Sequence, residues 1–67
     1  MTKQEIVEQR VNNLVAKIEI QKLKWKATID GSNKQSYVIP ECSSKEEFVA
    51  ALTLIIEEIV DSELSGG

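Results

Sequence analysis

Histidine is absent from this chain, and cysteine, proline, tryptophan, tyrosine and phenylalanine each occur once. Each scarcity closes a route. Without histidine there is no Ser-His-Asp triad, no Cys-His pair and no imidazole-ligated metal. The single thiol, Cys42, cannot form an intrachain disulfide. It also falls short of a structural zinc site, which takes about four Cys/His ligands. A solitary cysteine fits a reducing compartment. The glycines are Gly31, Gly66 and Gly67, which leaves no Gly-rich phosphate loop. No apolar run approaches the roughly 18 residues of a membrane span. The opening "MTKQEIVEQR" is polar and unlike a secretory signal. A non-enzymatic cytoplasmic protein with no metal, no cofactor and no membrane contact is expected.

What is present is ordinary globular material: 42% hydrophobic and 28% charged residues in a chain of 67. A single domain of this length buries only about 60% of its unfolded surface. With neither disulfide nor metal available, close packing or association must supply the missing stability.

The hydrophobic periods predict an α+β domain in the order α-β-β-α, a two-stranded antiparallel hairpin packed by two helices and completed by dimerisation. Thr2 with Glu5 has the spacing of a capping box, and a helix is expected over about 3–19. Val7, Val11, Leu14, Val15 and Ile18 fall within about 100° of arc, a stripe for one buried face. Ile20 is off that stripe, which places the helix end before it.

In "QKLKWKATID" the period becomes two, and a strand is expected over about 21–29. Leu23, Trp25, Ala27 and Ile29 would face inward, with Lys22, Lys24, Lys26 and Thr28 outward. "DGSNK" supplies a turn in which Gly31 and Asn33 can take positive φ. The second strand, about 36–39, contains Tyr37-Val38-Ile39 and stops at Pro40, which lacks a ladder donor.

Ser43 and Ser44 each have a glutamate three residues on and compete as cap of a helix over about 44–62, followed by a flexible tail, 63–67. Phe48, Leu52, Ile55 and Ile59 form its spine. Val49, Ile56 and Val60 widen the apolar arc to roughly 180°, against about 100° for an ordinary surface helix. Leu54 stands on the opposite side. The surplus predicts self-association through Leu52, Ile56, Ile59 and Val60, with a homodimer as the product.

Charge is segregated. Residues 1–26 hold six basic and three acidic side chains, and residues 41–67 hold one basic and seven acidic. Such a distribution steers association with charged partners. On the predicted strand, Lys22, Lys24 and Lys26 make a ladder about 6.6 Å apart at ~3.3 Å rise per residue. It could meet an acidic protein surface or phosphates, or simply solvate an exposed face and block edge pairing. Tyr37 is expected to pair with Trp25 across the hairpin or to offer its hydroxyl to a partner. Trp25 itself belongs to the core or an interface. Cys42 precedes the second helix with no base or second thiol beside it, and reads as an incidental thiol. The carboxylates of "IIEEIVDSE" lie on a solvated helix face rather than in the enclosed pocket that acid-base catalysis needs.

The expected function is therefore a protein-interaction module that inhibits or regulates a larger partner through the lysine face or the acidic helix. In size, acidity and missing catalytic residues the chain resembles in type the small inhibitors encoded by phages and mobile elements, anti-CRISPR proteins among them. Two rivals stand beside this. The terminal Gly66-Gly67 is similar to the processed tail of double-glycine leader peptides and to that of ubiquitin-like sulfur carriers. The carrier fold, however, opens with a β-hairpin, and this chain opens with a helix. A nucleic-acid-binding accessory protein using Lys22, Lys24 and Lys26 is the other rival; against it stand the net charge of −3 and the lack of an aromatic platform beside the lysines.

Overall fold

A computed structural model describes residues 2–31 and 35–66. The chain runs α1 (Lys3–Gln21), β1 (Ala27–Asp30), β2 (Ser36–Ile39), α2 (Lys45–Leu64), the expected α-β-β-α order with an antiparallel hairpin. The capping box is formed: the Glu5 N–H donates to Thr2 Oγ1 at 3.2 Å, and the Thr2 N–H donates to Glu5 Oε1 at 3.2 Å. At α2 the cap is Ser44, whose hydroxyl accepts from the Glu47 N–H at 3.3 Å. Glu47 reaches back to Ser43 instead, accepting from its N–H and its hydroxyl.

Both helices outrun their predicted ends. α1 continues through Ile20 and Gln21 and is closed by Lys22 in the left-handed conformation, φ 55°. The Lys22 N–H donates to the Glu19 carbonyl at 3.3 Å and the Leu23 N–H to the Ile18 carbonyl at 3.0 Å, a Schellman closure built without glycine. Ile20, 80% exposed, rides outside the stripe without stopping the helix. α2 carries Glu63 and Leu64 inside its last turn, where a tail is predicted. Ser65 then donates from its N–H to the Asp61 carbonyl at 3.0 Å. Gly67, and with it half of the Gly-Gly reading, lies outside the described residues.

The predicted first strand is shortened for a local reason. After the Schellman turn, the Lys26 N–H donates to the Lys24 carbonyl at 2.8 Å, a three-residue turn about Trp25. Only Ala27–Asp30 joins the ladder, pairing Ala27 with Ile39 and Ile29 with Tyr37. Gly31 does not use positive φ. A Cβ there would stand 3.0 Å from Tyr37 Cε2 and 3.4 Å from the Gln35 carbonyl, so close approach is what favours glycine. Asn33, the other expected turn residue, is outside the described residues.

The core unites Val7, Val11, Val15 and Ile18 of α1, Ile39 of β2, and Phe48, Leu52, Ile56, Ile59 and Val60 of α2. Phe48 and Leu52 are fully buried. Trp25 lies against Phe48 with ring centroids 5.5 Å apart, a tilted pair. The helices pack on each other, β2 packs on α2, and neither helix brings a Cα within 8 Å of one in β1. α2 is thus the central element, touched on two sides.

That arrangement corrects the reading of the wide apolar arc. Leu52, Ile56, Ile59 and Val60, expected to await a second copy, are all buried inside one chain. The sequence argument assumed that the hairpin receives both helices. Here α1 covers α2 directly, and an arc of about 180° is what a helix with two neighbours needs. Leu54 is exposed, as its position predicts.

Candidate functional site

The segregated charge does work within the fold before any partner is met. Lys3 Nζ lies 2.7 Å from Asp61 Oδ1, Arg10 Nη2 2.9 Å from Glu63 Oε1, and Lys45 Nζ 3.2 Å from Glu19 Oε2. These pairs join both ends of the antiparallel helix pair. The Arg10 guanidinium holds the Glu63 carboxyl below the usual carboxylate range, chiefly by hydrogen bonding to it and secondarily through its charge. Solvent screens exposed pairs of this kind, so they fix register more than stability.

The lysine ladder is not present as a ladder. Lys22 is the left-handed cap of α1, Lys24 precedes the turn about Trp25, and Lys26 closes that turn just before β1. All three side chains are exposed. Lys24 Nζ stands 3.6 Å from Glu41 Oε1, which partly neutralises it. Tyr37 separates from the lysines. It shares the inner face of the hairpin with Ile29 and Ile39, and its hydroxyl donates to Gln35 Oε1 at 3.2 Å. It neither pairs with Trp25 nor stands beside Lys22 or Lys24. Cys42 is half-buried; its N–H donates to the Trp25 carbonyl at 2.9 Å and its Sγ lies 3.4 Å from the Pro40 carbonyl.

Two surfaces emerge from this geometry. The first is the end of α1 with the connection to β1, where Ile20 and Leu23 are 80% and 53% exposed and Lys22 and Lys24 are exposed beside them. Neither exposure follows from the sequence pattern: Ile20, off the stripe, marks a helix stop, and Leu23 alternates inward with Trp25 until the Schellman turn interrupts the alternation. The second is the outer face of the hairpin, an open depression of about 410 Å³ lined by Lys26, Ala27, Thr28, Val38, Ile39 and Pro40. Val38, part of its lining, is 68% exposed.

Among the described residues no group of three or more Cys, Asp or Glu side chains is placed to hold a metal ion, and no buried side-chain polar atom lacks a partner. No helix among them is long and apolar enough to cross a membrane. Compared with protein-family models, with curated proteins and with solved structures, the chain gives no match.

Proposed function

We propose that this chain is a non-enzymatic protein-interaction module that inhibits or regulates a larger partner, and that it engages an acidic surface through the α1–β1 connection. The observation that supports this most is the pairing of apolar and cationic exposure at one corner. Ile20 and Leu23 stand out of the fold on either side of Lys22, and Lys22 and Lys24 rim them. Exposed apolar side chains interspersed with cations are the composition of a contact patch. The lysines supply steering toward a negative partner, and the apolar residues supply the energy of contact. The phage-inhibitor analogy for such a module rests on size, acidity and the missing catalytic residues.

The test compares capture of cellular partners by the wild-type chain with that by Ile20→Glu/Leu23→Glu and by Lys22→Glu/Lys24→Glu. Circular dichroism verifies each fold. A specific partner held by the wild type should be lost, at least about tenfold, by both variants. A partner retained equally by all three removes this corner from the account. Deleting Gly66 and Gly67 discriminates the leader or carrier reading, which requires lost function with an intact fold. Salt-dependent gel shifts discriminate nucleic-acid binding.

A further inference from the structure

The ladder geometry leaves one edge of β1 directed outward. The Gly31 N–H donates to the carbonyl of Gln35 at 2.7 Å across the pair that extends the β1–β2 register. In an antiparallel ladder, hydrogen-bonded pairs alternate with non-bonded ones. Ile29–Tyr37 and Ala27–Ile39 are therefore the bonded pairs, and Thr28 and Asp30 turn their N–H and C=O groups away from β2. No helix Cα comes within 8 Å of those of β1, so neither helix backbone lies along that edge, and Thr28 and Asp30 on it are exposed. Ala27 and Ile29 remain half-buried beside it.

We propose that this edge pairs with the same edge of a second copy of the chain, joining the two hairpins into a four-stranded antiparallel sheet about a two-fold axis at Thr28. The charge pattern of β1 selects both the occupant and the register. With Thr28 opposite its own counterpart, Lys26, the residue before β1, faces Asp30 of the other copy, and Ala27 faces Ile29; the Lys26 N–H stays on the Lys24 carbonyl, so that outer pair is joined by the Asp30 N–H to the Lys26 carbonyl alone. Both ends of the short strand are thus matched in charge, and the inner face is matched in apolar character. Shifting the axis to Lys26 or to Asp30 would oppose like charges, and shifting it to Ala27 or Ile29 would set Lys26 or Asp30 opposite Thr28 and forgo the ion pairs, which disfavours those registers. Lys26, Thr28 and Asp30 are all exposed on the outer face. Asp30 accepts from the Ser36 hydroxyl at 3.2 Å through Oδ1, which leaves Oδ2 for a lysine. The two-fold keeps both inner faces on one side, so the four half-buried side chains from the two copies adjoin. A lysine on an exposed edge ordinarily discourages pairing; here Asp30 of the other copy, directly opposite, makes it the register key.

Sedimentation across a dilution series should show a monomer–dimer equilibrium. Lys26→Asp alone and Asp30→Lys alone should each weaken it about tenfold or more, since each sets like charges opposite at two symmetric positions. The double reversal Lys26→Asp/Asp30→Lys should restore it. In a Cys42→Ser background, Thr28→Cys should oxidise to a covalent dimer, because hydrogen-bonded partners lie about 5.5 Å apart at Cα, within disulfide reach. A wild-type chain that stays monomeric up to about 1 mM overturns the proposal. So does a dimer indifferent to both single reversals, or a Thr28→Cys variant that dimerises without forming the bond.

Discussion

Arg10 and Glu63 clasp each other through two parallel hydrogen bonds, Nη1 to Oε2 at 3.0 Å and Nη2 to Oε1 at 2.9 Å, across 53 residues of chain. The last turn of α2 has no basic residue of its own, although Asp61 and Glu63 sit at the negative end of its dipole. Lys3 and Arg10 of α1 supply the missing cations. Lys3 in turn occupies the positive end of α1, where Asp61 relieves it. Charges poorly placed on each helix alone become well placed once the helices lie antiparallel.

Acid should loosen this clasp. The Glu63 carboxyl has its pKa lowered in the folded chain, so its contribution is fully present above the unfolded carboxylate pKa. It is lost as pH falls through the depressed folded value. Glu63→Gln should therefore melt slightly lower than wild type at neutral pH, by a few degrees at most, and the two should converge in strong acid. Parallel melting curves from pH 7 to pH 2 would exclude a role for this pair.

Lys22 occupies a left-handed position, φ 55°, that glycine adopts without penalty. Lys22→Gly removes a cost of about 1–2 kcal/mol and gives part of it back through a freer unfolded chain. The net expectation is a gain of about 0.5–1 kcal/mol, or roughly 2–8 °C in Tm for a domain of this size. An unchanged or lowered Tm would mean that the lysine side chain stabilises this corner in another way.

The element order, the Thr2–Glu5 box and the apolar stripe of α1 were legible because each rests on neighbours in sequence. The end of α1 was not. Its closure uses Lys22, which carries no glycine signal, and the alternation of Leu23, Trp25, Ala27 and Ile29 mimics one long strand across a Schellman turn and a turn about Trp25. Two of those residues, Ala27 and Ile29, do belong to the strand; Trp25 still faces inward, against Phe48. The destination of the surplus on α2 was equally invisible, because periodicity gives the width of an apolar arc and not the identity of what covers it. The proposed contact corner was missed for the opposite reason: Leu23 looks like a core residue until the backbone before it turns, and Ile20, off the buried stripe, reads as a helix stop.

Burial of Ile56, 7% exposed, now separates two outcomes for Ile56→Asp. A carboxylate at a dimer surface would leave a folded monomer. In this core it is an unpaired buried charge beside a cavity, worth about 4 kcal/mol or more. That rivals the whole stability of a domain this small, about 3–10 kcal/mol at typical values per residue. The variant should be unfolded by circular dichroism at every concentration. A well-folded Ile56→Asp monomer would contradict the packing of α1 on α2.

Ser44 is the last residue whose chemistry can be isolated. Its hydroxyl accepts the Glu47 N–H at 3.3 Å, one of the donors that the first turn of α2 cannot satisfy internally. Ser44→Ala removes the acceptor and should cost about 1 kcal/mol, lowering Tm by roughly 4–8 °C. Ser44→Asp restores an acceptor at the positive end of the helix dipole, but it also adds a third carboxylate beside Glu46 and Glu47. Its Tm should therefore lie between those of alanine and wild type at low salt and approach wild type as salt screens the repulsion. If aspartate proves no better than alanine at high salt, the hydroxyl is not acting as the cap, and the Glu47–Ser43 hydrogen bonds must be starting the helix without it.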